Sequence, residues 1–198
     1  MASEKTDKSR LRRDLLRTRA ALPEGDVPVN GHALARHALQ LPELTGAHTV
    51  AAYVSVGREP STREVLEGLR ERGVRVLLPV LLPDDDLDWA AYEGRDHLVP
   101  AGRGLLEPDG PRLGPEAVLA ADAVLLPGLA VDRRGLRLGR GGGSYDRVLE
   151  RLTRAGSRAA LVVLLYDGEV LAQVPAEPHD RAVHAVVTPS GTTRFPAL

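Results

Sequence analysis

Residues 49 to 80 constrain the fold more than any other part of the chain. The run TVAAYV (49–54) reads as a buried strand. A helix is predicted next. Ser61 with Glu64 three residues later forms a capping-box pattern, Val65, Leu66 and Leu69 supply an apolar stripe, and Gly73 stops the helix. VRVLLPV (74–80) is the following strand. Strand, helix and strand joined this closely form a βαβ unit, which requires a parallel sheet and a right-handed crossover. The expected fold class is α/β: a single domain with a mostly parallel, Rossmann-like three-layer sheet and flanking helices.

The rest of the chain extends that pattern. LRRDLLRTRAAL, near the start, predicts an amphipathic helix with Leu11, Leu15 and Leu16 on one side among arginines. A second helix is expected after Asn30, with Ala33, Leu34, His37, Ala38 and Leu41 facing inward. DLDWAAY reads as a strand entered from the acidic turn PDDD, where Asp84, Asp85 and Asp86 are a solvated turn in preference to a metal site. Residues 93–116 are rich in glycine and proline, with room for only a short helical turn; so long an irregular stretch is often functional. AVLLP (123–127) resumes the sheet. A helix from about Tyr145 to Ala155 presents Val148, Leu149 and Leu152 and ends at Gly156. AALVVLLY and AVHAVVT are two more strands, and the tail from Pro189 is expected to be loose. No repeat or linker interrupts a chain of 198 residues and 43% apolar content, enough for one core.

Composition removes several function classes. With no cysteine there is no disulfide framework, thiolate zinc site or thiol nucleophile. The charged opening MASEKTDKSR has no apolar h-region, and no apolar run approaches membrane-spanning length, so a soluble cytoplasmic protein is expected. A net charge of −1 argues against a general nucleic-acid binder. Lys5 and Lys8 are the only lysines, which leaves no phosphate-loop, kinase or Schiff-base lysine beyond Lys8. His179 and His184, five apart, have a poor helical spacing for zinc.

The segment LRLGRGGGSYDRVLER (136–151) carries the chemistry. It matches neither the dinucleotide pattern, since Ser144 stands at the last glycine position, nor the phosphate loop, which needs a lysine. Its glycines nevertheless let backbone N–H groups approach an oxyanion, and Ser144 is expected to cap the following helix, whose N-terminus favours anions. Eight arginines lie from Arg133 to Arg158 against Asp146 and Glu150. Anion binding, most naturally of a polyphosphate, is the use such a site suggests. A flexible connection into a capped helix is the alternative. Beside a polyphosphate, Asp146 is the carboxylate expected to hold Mg²⁺.

PGLAVDRRGLRLGRGGGSYDRVL (127–149) closely resembles the signature of the 5-formyltetrahydrofolate cyclo-ligase family, also called methenyltetrahydrofolate synthetases. KSRLR (8–12), YVSVGREPST, GRGLLEP (102–108) and VPAEPHDRAVHAVVTPSG resemble its other motifs, in order, across nearly the whole chain. The resemblance implies ATP- and Mg²⁺-dependent cyclisation of 5-formyltetrahydrofolate to 5,10-methenyltetrahydrofolate through an imino-phosphate. By position it implies an ATP site of Lys8, Arg12, Arg137, Leu138, Gly139, Arg140, Gly141, Gly142, Gly143, Ser144 and Tyr145. Arg140 would be the catalytic, phosphoryl-stabilising arginine. Val54, Glu59 and Tyr145 would touch the folate, and Asp146 and Asp180 would hold Mg²⁺. The partners implied are small-molecule substrates only, with no nucleic acid or membrane, in a monomer or weak dimer.

At 3% aromatic content, Trp89, Tyr92 and Tyr145 are nearly all the candidates for stacking on a pterin, and Trp89 and Tyr92 read better as core. Two positions depart from the family pattern. Ser144 stands where the family commonly has a tyrosine, and Ser61 where it often has an acid. A divergent nucleotide- and folate-binding protein of the same fold, with altered substrate or little turnover, is therefore an alternative. An RNA-binding role for the arginine-rich helix is a third, weakened by the lack of interleaved aromatics.

Overall fold

A computed structural model describes residues 2–177 and 180–196, with side chains from Asp7 onward. In chain order the helices are α1 (Ala2–Ala20), α2 (Asp26–Ala38), α3 (Pro42–Thr45), α4 (Arg63–Glu71) and α5 (Ser144–Arg154). The strands are β1 (Thr49–Ala51), β2 (Arg75–Leu81), β3 (Leu87–Ala91), β4 (Leu98–Pro100), β5 (Leu106–Pro108) and β6 (Ala123–Leu126). They continue with β7 (Ala130–Asp132), β8 (Arg137–Leu138), β9 (Ala160–Leu164), β10 (Val170–Leu171), β11 (Ala185–Thr188) and β12 (Gly191–Arg194).

The central sheet has the order β12-β11-β9-β6-β1-β2-β3. The inner strands from β11 to β2 run parallel, and the edges β3 and β12 are antiparallel additions. Both faces are covered, as a parallel sheet requires. Along β2, Val76 and Leu78 pack with α2 and α4, while Leu77 packs with α5 and the opposite layer. Val65, Leu66 and Leu69 of α4 are fully enclosed and contribute about 2 kcal/mol each by transfer out of water. The expected α/β three-layer class is the one observed.

Several local expectations need correction. α2 begins at Asp26, before Asn30; Pro28 is tolerated in the first turn, where backbone N–H groups have no intrahelical partner anyway. The capping box at Ser61 does not form. The N-cap of α4 is Thr62, and its hydroxyl is used elsewhere: it accepts from Ser55 N (2.9 Å) and donates to Tyr53 O (2.8 Å). That buried clasp turns the chain out of the sheet, which is why β1 ends at Ala51 instead of reaching Val54. β2 continues past the point where β1 leaves, so Pro79, opposite Trp89 of β3, has no β1 residue beside it. A residue without an N–H is tolerated on a strand's open side.

The 93–116 stretch is more ordered than expected. β4 and β5 pair as an antiparallel hairpin, and a 3-10 turn spans Pro115–Ala120. The tail from Pro189 is not loose as far as Arg194: β12 pairs with β11 and closes the sheet edge.

α1 bears out the amphipathic reading in part: Leu15 is buried and Leu11 packs beside it, but the inner face also carries cations. Leu16 is exposed, whereas Lys8 and Arg19 are buried. The inward stripe is Lys8, Arg12, Leu15 and Arg19, at spacings of four, three and four that share one helical face. α1 packs on the small sheet β10-β7-β8 and its loops, whose carboxylates and carbonyls call for cations. Arg19 makes a paired contact with Glu169 (2.6 and 2.8 Å) and donates to Gly128 O (2.6 Å). Asp132 fastens the β7–β8 turn, accepting from the Arg134 side chain and from three backbone N–H groups.

Candidate active site

A cleft of about 330 Å³ opens at the C-terminal ends of β6, β1 and β2. The chain order reverses direction between β1 and β6, and ligands of open parallel sheets bind at such switch points. Pro127 and Gly128 follow β6, Tyr53 and Val54 follow β1, and Leu81 ends β2. The glycine loop from Gly139 to Gly143 and the start of α5 form one wall; the β4–β5 hairpin contributes another.

The glycines of the loop do different work. A Cβ on Gly139 would lie 2.7 Å from Arg137 Nη1. Gly141 adopts a left-handed φ of 95° against the Arg12 guanidinium, and left-handed Gly143 (81°) is the N-cap of α5. Gly142 has nothing within 4 Å of where a Cβ would be. Ser144 is therefore the first helical residue, without a side-chain capping bond, and not the cap the sequence suggested. The backbone turn at Gly143 starts the helix, with its carbonyl accepting from Asp146 N and Arg147 N.

Two functional candidates from distant segments meet here. Glu59 is buried, accepts from Val56 N at 2.9 Å, and lies 3.1 Å from Arg140 Nη2. Tyr145 lines the same space; burial, then the nearby Glu59 charge, pushes its phenol upward, so it stays protonated at neutral pH. Tyr53 is pushed up by burial in the same way. Arg137, nearly buried, donates to Pro127 O (3.1 Å) and to Asp146 Oδ1 (3.0 Å) while its Nε has no partner among the described residues.

The other expected residues flank this centre. Arg12 Nε donates to Gly139 O at 2.9 Å, so it braces the loop. Lys8 Nζ lies 2.7 Å from both Glu177 and Asp180. Burial opposes its charge, but these two hydrogen-bonded carboxylates outweigh that and raise its pKa. Leu138 is a core residue packed with Leu15 and Leu129, not a cleft residue as its place in the motif implied. Trp89 and Tyr92 are core, so Tyr145 and Tyr53 are the cleft's aromatics among the described residues. His184 accepts from Leu161 N, and His179 lies outside the described residues.

The arginine run disperses. Arg134 pairs with Asp132, Arg151 with Asp86 and Glu116, and Arg154 with Glu150, leaving Arg137 and Arg140 of that run on the cleft. The PDDD turn is gripped by arginines: Arg147 donates to Asp84 O, Arg103 pairs with Asp85 and Arg151 with Asp86.

No group of three or more histidine, aspartate or glutamate ligands occurs among the described residues. Mg²⁺ does not demand one, since it keeps several waters and takes one or two carboxylates plus substrate phosphates. Asp146, half exposed on the cleft, fits that role. Asp180 is not a cleft residue but lies within the electrostatic reach of Arg137, as Asp146 does.

The hairpin wall adds residues that the sequence reading did not assign to the site. Arg103, Leu105, Leu106 and Glu107 line the cleft, and Glu107 is fixed by accepting from Leu81 N at 2.9 Å. Arg103 and its partner Asp85 are the non-glycine residues with left-handed φ (61° and 65°) among the described residues. Aspartate tolerates that region; arginine there costs about 1 kcal/mol, and an exposed ion pair returns only about 0–1. Two advance signals pointed to this segment, the long glycine- and proline-rich stretch and the resemblance of GRGLLEP (102–108) to a family motif, but neither assigned its residues a role.

A family model described as the 5-formyltetrahydrofolate cyclo-ligase family matches residues 4–189. The chain belongs to this family. A 5-formyltetrahydrofolate cyclo-ligase of Mycolicibacterium smegmatis is 44% identical over 187 residues, covering 92% of this chain and 93% of the relative. One from Escherichia coli K12 is 34% identical, with 88% and 95% coverage. Among solved structures, a 5,10-methenyltetrahydrofolate synthetase of Aquifex aeolicus superposes with a TM-score of 0.80 at 26% identity, covering 96% of this chain and 94% of that one. Family membership thus joins a fold likeness that spans the whole sheet, including the strands that carry the cleft.

Proposed function

We propose that this chain is an ATP- and Mg²⁺-dependent 5-formyltetrahydrofolate cyclo-ligase. The observation that carries the reading is the meeting of Glu59 with Arg140 beside Tyr145. A carboxylate suited to pterin N–H groups and a cation suited to phosphate stand within one contact, where a formyl group and a γ-phosphate would have to meet.

In the proposed sequence the formyl oxygen attacks the γ-phosphorus, forming an O–P bond as the bond to the ADP leaving group breaks. N10 of the folate then attacks the activated formyl carbon and loses its proton, and the C–O bond breaks to release phosphate. The product is the 5,10-methenyl ring. Nothing in these steps needs a side-chain nucleophile; they need positioning and charge stabilisation. Arg140 balances the charge that develops on the transferring phosphoryl group, leaving Glu59 to the folate. The N–H groups of Gly141 to Gly143 and the start of α5 bind phosphate oxygens. Arg137 and Arg12 hold the loop in register, and neutral Tyr145 donates from the folate side. Asp146, on the cleft, would hold Mg²⁺, which would supply charge neutralisation on the phosphates, while Asp180, paired with Lys8 outside the cleft, would add a second carboxylate only from a distance.

The test is a turnover assay following methenyltetrahydrofolate absorbance. Product is expected only when 5-formyltetrahydrofolate, ATP and Mg²⁺ are all present. Binding of both substrates without ADP release would instead favour a non-catalytic binding protein. Arg140→Ala should lower kcat by about 10²–10³-fold with the fold intact, and near-normal turnover in that variant would remove Arg140 from its role.

A further inference from the structure

Arg103 has no part in the chemistry above, yet it lines the cleft in a strained conformation. Its side chain is 68% exposed, and its partner Asp85 (2.8 Å) is 41% exposed. Both residues are left-handed and face one another from separate turns. The pair is replaceable without loss of the turn, because Arg151 independently holds Asp86 at 2.7 Å in a more enclosed setting, and Arg147 holds Asp84 O.

The sheet fixes where this arginine sits relative to the reacting end. The cleft crosses from β6, below the glycine loop, past Val54 after β1 to Leu81 of β2, which pairs with Leu87 at the start of β3. Pro79, Leu81, Leu87, Leu105 and Leu106 make this far part apolar. β5 packs against β2 there, and Arg103 is carried on the same hairpin. The cleft therefore has one end with Arg137 and Arg140, an aliphatic stretch, and beyond it the exposed Arg103 paired with Asp85.

We propose that Arg103 is a specificity residue that exchanges Asp85 for a carboxylate of the substrate's glutamate tail. This rests on the folate reading of the cleft. A reduced folate has a polar pterin, a flat benzoyl ring and an anionic glutamate, in that order. The cleft offers matching surroundings in the same order, and the Asp85 carboxylate occupies the place that the tail carboxylate takes.

Calorimetry with the full chain tests it, comparing 5-formyltetrahydrofolate with 5-formyltetrahydropteroate, which lacks only the glutamate. The wild-type protein should bind the glutamate-bearing form about tenfold more tightly, the scale of one charge-assisted contact at a partly exposed site. Arg103→Gln should bring the two affinities to within about twofold, and Asp85→Asn, which keeps a residue tolerant of the left-handed region, should widen the gap. A preference unchanged in Arg103→Gln overturns the tail site while leaving the cyclo-ligase reading standing. Failure of the wild-type protein to bind either compound overturns both.

Discussion

At the scale of single residues, the glycine loop separates what the fold needs from what a ligand needs. Gly139, Gly141 and Gly143 each have a reason in the free protein: a crowding Arg137, and two left-handed backbones. Gly142 has none. Gly142→Ala should change stability by less than about 0.5 kcal/mol in urea titration, since it touches nothing, yet weaken nucleotide affinity measured by calorimetry if the proposed function holds, because the added methyl would then stand where phosphate approaches. Gly139→Ala should reduce both, by displacing Arg137. Ser144→Ala should cost under about 0.5 kcal/mol in the same titration, where a true N-cap would cost about 1. The loop was legible because its chemistry is local, a glycine run into a helix start. The cap was misassigned because Ser144 and left-handed Gly143 both suit that position, and only the backbone geometry chooses between them.

At the scale of elements, α1 shows why periodicity misleads when a helix packs on something other than a hydrophobic sheet. Its leucines suggested an apolar inner face, and Leu11 and Leu15 do pack there, but the surrounding loops also present Glu169, Glu177, Asp180 and the Gly128 carbonyl. The helix turns its cations toward them. No pattern within residues 2–20 encodes those distant partners, and the same is true of Thr62, whose hydroxyl serves β1 in place of its own helix. Arg19→Leu should destabilise by about 3–5 kcal/mol in chemical denaturation, because Glu169 is left buried and unpaired. The double replacement Arg19→Leu with Glu169→Leu should recover part of that loss. A double variant as unstable as the sum of the singles would show that the pair is not coupled.

For the whole molecule, several carboxylates tie separate segments together. For Asp132, burial opposes ionisation, but the hydrogen bonds from Arg134 and from three backbone N–H groups win and hold its pKa below the usual range. Asp86 is lowered chiefly by Arg151, and Asp122 by the N–H groups of Thr49 and His48. Groups depressed in the fold stabilise it fully above their unfolded values, about 3.9 for aspartate, and lose that contribution as pH falls through the folded values. The urea midpoint should therefore hold steady from about pH 7 to 5 and drop below about pH 4. Asp132→Asn should be less stable at pH 7 by about 3 kcal/mol, with a shallower acid slope. At this scale the sequence was most informative: βαβ periodicity implied the mostly parallel sheet with flanking helices that the structure has.

The early departure of β1 from β2 has a thermodynamic consequence. Because the Thr62 clasp pulls the chain away after Ala51, the cleft beside Pro79, Leu81 and Leu87 is already formed in the free chain. Filling it removes apolar surface from water without first folding a segment. Folate binding should thus show a negative heat-capacity change in calorimetry at several temperatures, whereas nucleotide binding at the polar glycine loop should show a much smaller one. The two substrates would then be told apart by temperature alone, through a gap made by one buried threonine.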